Sequence, residues 1–110
     1  MTTAGSERRK DLRRSTRVPI QVRIEVQATG VSCEGETIVV NLHGALVKTS
    51  GQLELGAGIT IHVQLTGKSA GARVVFASRE RHLEFGIALD QPQNIWGISL
   101  PPSDWREELE

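Results

Sequence analysis

Val18, Ile20, Val22, Ile24 and Val26 alternate without a break with Pro19, Gln21, Arg23, Glu25 and Gln27. No other feature limits the fold of this chain as sharply. A period of two puts one set of residues on one face of extended backbone, so the run predicts a strand with one face buried. Read as a helix, the same residues would scatter around the whole surface. Pro19 has no amide hydrogen to give a ladder, which places it at an edge or at the start of the strand.

The same period returns along the chain. A polar, glycine-bearing turn over residues 29–35 is expected to lead into Thr37, Ile38, Val39 and Val40, with the lone Cys33 in that loop. A corner over Asn41 to Gly44 then precedes Ala45, Leu46 and Val47. After the turn-forming Gly56-Ala57-Gly58 come Ile59, Ile61, Val63 and Leu65, alternating with polar partners. Ala72, Val74 and Phe76 are expected to face Leu83, Phe85, Ile87 and Leu89 across a charged link over residues 78–82. Closely spaced strands, five or six of them, with glycine-rich turns and almost no helical period indicate an all-β fold, a sandwich or a small barrel that closes its own edges. Pro101-Pro102-Ser103-Asp104 predicts one short C-terminal helix through Trp105 to Leu109, with Ser103 as its N-cap.

With 110 residues there is room for one hydrophobic core. Residues 1–12 are polar and unpatterned and read as a flexible basic arm, and residues 13–110 as a single domain. No apolar run is long enough to span a bilayer, and the first residues lack the apolar stretch of a secretory signal, so a cytoplasmic protein without membrane insertion is expected. One cysteine allows no internal disulfide and no thiolate cluster. The net charge of zero conceals a division: residues 7–23 hold seven Lys or Arg against two acids, leaving six and eleven elsewhere. An anionic partner for that end alone is the functional consequence, a solvated basic tail the plain one.

Familiar enzyme chemistry finds no footing. His43, His62 and His82 lie about twenty residues apart, without the close spacing of zinc ligands. Gly67-Lys68-Ser69 resembles the end of a phosphate-binding loop, but the glycine required five residues earlier is His62. Gly56 and Gly58 are followed by no third glycine and no βαβ unit. No nucleophile elbow of the Gly-x-Ser-x-Gly type occurs. A non-enzyme without metal or cofactor is expected.

Two places remain: the cluster Arg13-Arg14-Ser15-Thr16-Arg17 before the first strand, and the corner Asn41-Leu42-His43-Gly44-Ala45. In a small barrel they can form one site, a cationic strap beside a rigid polar edge. Guanidinium groups bind phosphate by forked hydrogen bonds and stack on purine faces, which suits a phosphate-bearing planar ligand.

These residues resemble the PilZ domain family, small β-barrels whose many members bind the bacterial second messenger cyclic di-GMP. The resemblance spans about residues 8–100 and implies a small six-stranded antiparallel β-barrel. Arg13-Arg14-Ser15-Thr16-Arg17-Val18-Pro19 matches the family's Arg-x-x-x-Arg motif and the Val-Pro-like pair that often opens the strand after it. The resemblance implies that Arg13 and Arg17 wrap the dinucleotide, with Arg14 as an auxiliary charge; Arg9-x-x-x-Arg13 has the same spacing but lies too far from Val18-Pro19. The family's second motif, Asp or Asn followed by x-Ser-x-x-Gly, is altered. Asn41 holds its first position, His43 stands where serine is expected, and Gly44 follows at once, as if two residues were missing. The strand-like stretches 72–75 and 83–89 also look like the family's closing strands.

The resemblance implies a non-catalytic signalling receptor, monomer or homodimer, that binds cyclic di-GMP through Arg13, Arg14, Arg17, Asn41, His43 and Gly44 and passes the signal to a protein partner. The alternatives are an adaptor of the same fold that acts by protein contacts without the nucleotide, and a nucleic-acid binder using the basic arm. Two Trp, two Phe and no Tyr leave the last reading few stacking platforms.

Overall fold

The alternating run from Val18 to Gln27 is not one strand. In the computed structural model, which describes residues 15–109, β1 covers only Val18–Pro19, the chain steps aside over residues 20–22, and β2 runs Arg23–Ala28. Thr37 makes the step. Its buried side-chain Oγ1 accepts from Val22 N at 3.0 Å and donates to the Ile20 carbonyl at 2.6 Å. The hydroxyl thus satisfies backbone groups that a regular ladder would have paired.

The remaining strands are β3 (Val31–Asn41), β4 (Gly44–Thr49), β5 (Gly58–Val63), β6 (Lys68–Ala77) and β7 (Glu84–Leu89), followed by helix α1 (Ser103–Leu109). Their order is β3-β2-β5-β6-β7-β4, and β4 pairs back to β3. The result is a closed six-stranded antiparallel barrel, with β1 as an extra short strand on β3 and one short helix, so no barrel strand presents a free edge. The length of β3 allows this: its first half pairs with β2, Val39 and Val40 pair with β1, and β4 lies along its other side.

Ile24, Val26, Val40, Val47, Ile61, Val63, Val74 and Ile87 point inward and are buried, as period-two reading expects. Burying each such side chain contributes about 1.5–3 kcal/mol before the entropy of ordering it. Leu42, Ile95, Trp96 and Trp105 extend this core at one end of the barrel.

Several local expectations are corrected. The β2–β3 turn is only Thr29-Gly30, with Gly30 at φ +73°, and residues 31–35 belong to β3. Cys33 is therefore a half-buried strand residue opposite Val26. Gly35, read as a turn residue, serves close approach: a Cβ there would lie 2.5 Å from the Lys48 carbonyl oxygen. Leu65 lies beyond the end of β5 and is exposed. Phe76 is 51% exposed, because a bulge between Val74 and Phe76 turns its ring outward over Gly86. Helix α1 begins at Ser103 and reaches Leu109 as expected, with Trp105 fully buried beneath it.

Candidate ligand-binding site

The two-residue corner Leu42-His43 is built by Asn41. Its Oδ1 accepts from His43 N at 2.8 Å and from Gly44 N at 2.9 Å, a side-chain turn that takes the place of backbone pairing. Leu42 plugs into the core, while its amide donates to Ser15 Oγ at 2.8 Å and its carbonyl accepts from Gln93 N. The Asn41 carbonyl accepts from Trp96 Nε1 at 3.0 Å. The corner is therefore held from below, from the arm side and from the C-terminal segment.

Gly44 is required by its neighbour on β7. A Cβ at this position would lie 2.0 Å from the Ile87 carbonyl oxygen, which no side-chain movement relieves. The resemblance implies a ligand-binding place for Gly44; in the barrel its lack of a side chain allows β4 to approach β7.

Ser15 and Thr16, the residues between Arg14 and Arg17, tie the strap to the barrel. Thr16 N and Oγ1 both donate to Asp104 Oδ2 at 2.8 Å, and the Thr16 carbonyl accepts from Trp105 Nε1 at 2.8 Å. Helix α1 so clamps the residue immediately before Arg17. Glu108, one turn after Asp104, sets its Oε2 2.5 Å from His43 Nε2.

Arg17, Asn41, His43 and Gly44 meet around one open pocket of about 280 Å³, with Val39 and Leu46 as apolar floor. Asn41 and Gly44 are partners in one lateral row that continues to Ala88 on β7, and Val39 with Leu46, two rows along, are the next pair on the same face. Arg17 and the corner thus line one pocket on the outer face of the barrel. Arg13 and Arg14 lie outside the described residues, as does the arm over residues 1–12. His62 is paired elsewhere, its Nδ1 2.7 Å from Ser69 Oγ.

Chemically, the pocket offers an exposed guanidinium, an asparagine amide group, an imidazole already facing a carboxylate, and a small apolar surface. Among the described residues no three His, Cys, Asp or Glu side chains are placed to hold a metal ion. No helix there is long and apolar enough to cross a membrane. Sequence reasoning missed Ser15, Thr16, Trp96, Asp104, Trp105 and Glu108. The two tryptophans carried the available signal: large aromatics with one polar atom seek a buried place with an acceptor.

Among solved structures, the chain is similar to the crystal structure of the PilZ domain of CeSA from a cellulose-synthesizing bacterium. That likeness, at 21% identity and a TM-score of 0.55, covers 68% of this chain and 80% of the other and concerns the fold. No curated protein matches the sequence. The family model for the PilZ domain matches residues 7–95, which takes in the arginine cluster, the corner and every barrel strand, and the chain belongs to the PilZ domain family.

Proposed function

We propose that this domain is a non-catalytic receptor for cyclic di-GMP, held between the arginine strap and the Asn41 to Gly44 corner, and that it signals to a protein partner. PilZ domains are typically receptors of this kind and are generally non-catalytic. The observation that carries the reading is the pocket in which Arg17, 24 positions before Asn41 in the chain, stands beside Asn41, His43 and Gly44. A dinucleotide with two phosphates needs cations at its edge and a flat apolar surface beneath a base, and Arg17 with Val39 and Leu46 supplies both kinds of group.

Arg13, four residues before Arg17, has the spacing to close over the same ligand. Ordering each arm residue costs on the order of 1 kcal/mol, and charge-assisted hydrogen bonds of about 1.5–3 kcal/mol each offset it. Ser15 and Thr16 are already tied down by Leu42, Asp104 and Trp105, so the root of the strap adds little to that cost.

A second reading, an adaptor that acts through protein contacts without the nucleotide, is favoured by the state of the corner. Asn41 Oδ1 is used within the turn and His43 faces Glu108. Calorimetric titration with cyclic di-GMP, beside GTP and single-stranded RNA, separates the readings. Saturable heat with cyclic di-GMP alone supports the receptor; no heat at high micromolar ligand leaves the adaptor. Heat with RNA that vanishes steeply with salt would point to the basic arm as a nucleic-acid grip.

A further inference from the structure

One side chain of the pocket, His43, already meets a carboxylate that belongs to the protein itself. Glu108 Oε2 meets His43 Nε2, with the glutamate side chain 13% exposed and the histidine side chain 52%. A carboxylate only accepts, so the imidazole contributes an Nε2–H to this contact. A phosphate oxygen is an acceptor too and would seek the same hydrogen. Asp104, one turn earlier, meets Thr16 in the same way beside Arg17.

Among the described residues each of these carboxylates uses one oxygen. Asp104 Oδ1 and Glu108 Oε1 are buried and have no hydrogen-bond partner among the described residues. A buried carboxylate oxygen without a donor is less stable than the same oxygen in water. The grip of Glu108 on His43 is therefore one that an external anion can replace, after which the glutamate regains solvent. The helix that carries Glu108 lies beyond residue 95, where the family match ends, so this contact is an addition to the matched domain.

We propose that Glu108 is a built-in competitor for the anion position at His43: its carboxylate occupies the place that a phosphate oxygen of the ligand takes, and binding requires it to swing aside. The proposal rests on the receptor reading for the identity of the ligand, but its chemistry concerns any phosphate anion entering this pocket. Trp105 stays seated, because its ring is fully buried and its Nε1 is bonded to Thr16. Displacement is then a side-chain movement, and the helix keeps its place. Competition is reciprocal: whatever Glu108 gains from His43, the ligand must lose.

The test compares the full chain with Glu108→Gln and with Glu107→Gln, which removes the same charge from an exposed position of the same helix. Inorganic pyrophosphate is the probe, and the ring signals of His43 in nuclear magnetic resonance report its binding. Glu108→Gln is expected to bind pyrophosphate about fivefold tighter or better, at the low end of measured couplings between sites. Glu107→Gln should bind as the unaltered chain does. Equal gains in the two variants would show a general charge effect and overturn the proposal. So would an unchanged affinity in Glu108→Gln, or no movement of the His43 signals in either protein. Cyclic di-GMP is titrated in parallel. If it binds neither protein while pyrophosphate shows the Glu108→Gln gain, the competitor stands and the receptor reading fails.

Discussion

Trp105 Nε1 donates a 2.8 Å hydrogen bond to the carbonyl of Thr16, 89 positions earlier in the chain. The bond joins the C-terminal helix to the residue before Arg17, so the strap of the candidate site hangs from the far end of the sequence. A seven-residue helix is marginal alone in water. It persists because Trp105 is sunk into the core and because Asp104 and Glu108 meet Thr16 and His43.

Removing that anchor should be costly. Trp105→Ala is expected to lower unfolding stability by about 3–5 kcal/mol, the usual range for truncating a buried aromatic. Trp105→Phe keeps most of the apolar volume and leaves the Thr16 carbonyl without its donor, a loss of about 1–3 kcal/mol. Urea unfolding followed by circular dichroism measures both. A loss below about 1 kcal/mol for the alanine variant would mean that α1 does not close the barrel end.

The step between β1 and β2 makes a second expectation. Thr37→Val preserves the shape of the side chain but removes the hydroxyl that serves Val22 N and the Ile20 carbonyl. One buried and one partly buried backbone group then lose a partner, and the variant should be destabilised by about 1–3 kcal/mol. Thr37→Ser retains the hydroxyl and should lose less. If the two variants melt alike, the hydroxyl is not what holds the step.

The barrel was readable in the sequence because burial on one face enforces a period of two, and that period survives whatever the strand is paired with. Residues whose role depends on a neighbour far along the chain were less readable. Gly35 and Gly44 look like turn residues, but each is glycine because another strand's carbonyl lies where a Cβ would be. Phe76 follows the alternation of β6 until a bulge, set by pairing with β7, reverses it. Arg17 and the corner stand out by residue type, and they line one pocket. Arg13 and Arg14 stay outside the described residues. The engagement of His43 by Glu108 could not be read, since two residues 65 apart carry no local signal of contact.

Glycine substitutions separate these two origins. Gly44→Ala places a methyl 2.0 Å from the Ile87 carbonyl oxygen, so β4 and β7 must part. A loss of about 3 kcal/mol or more, or failure to fold, is expected, in the range of severe overpacking. Gly58 has open space around a Cβ and no positive φ, so Gly58→Ala should stay within about 0.5 kcal/mol of the unaltered chain. Thermal melts of the two proteins, made side by side, check the contrast. A well-folded Gly44→Ala at native stability would show that the β4–β7 spacing yields more easily than the barrel geometry implies.

Arg17 carries the sharpest expectation for function. It is exposed at the pocket rim, outside the core, so Arg17→Ala should change unfolding stability by no more than about 0.5 kcal/mol. Its loss from a phosphate contact should nevertheless weaken cyclic di-GMP binding by about tenfold or more, the equivalent of one charge-assisted hydrogen bond. Arg17→Lys keeps the charge but not the forked donor pair, and should recover only part of the affinity, most of it at low salt, where a point charge is least screened. Calorimetry at two salt concentrations, with a melt of each variant, distinguishes a lost contact from a damaged fold. Undiminished affinity in Arg17→Ala would place the ligand away from this pocket, because no other described residue supplies a guanidinium to it.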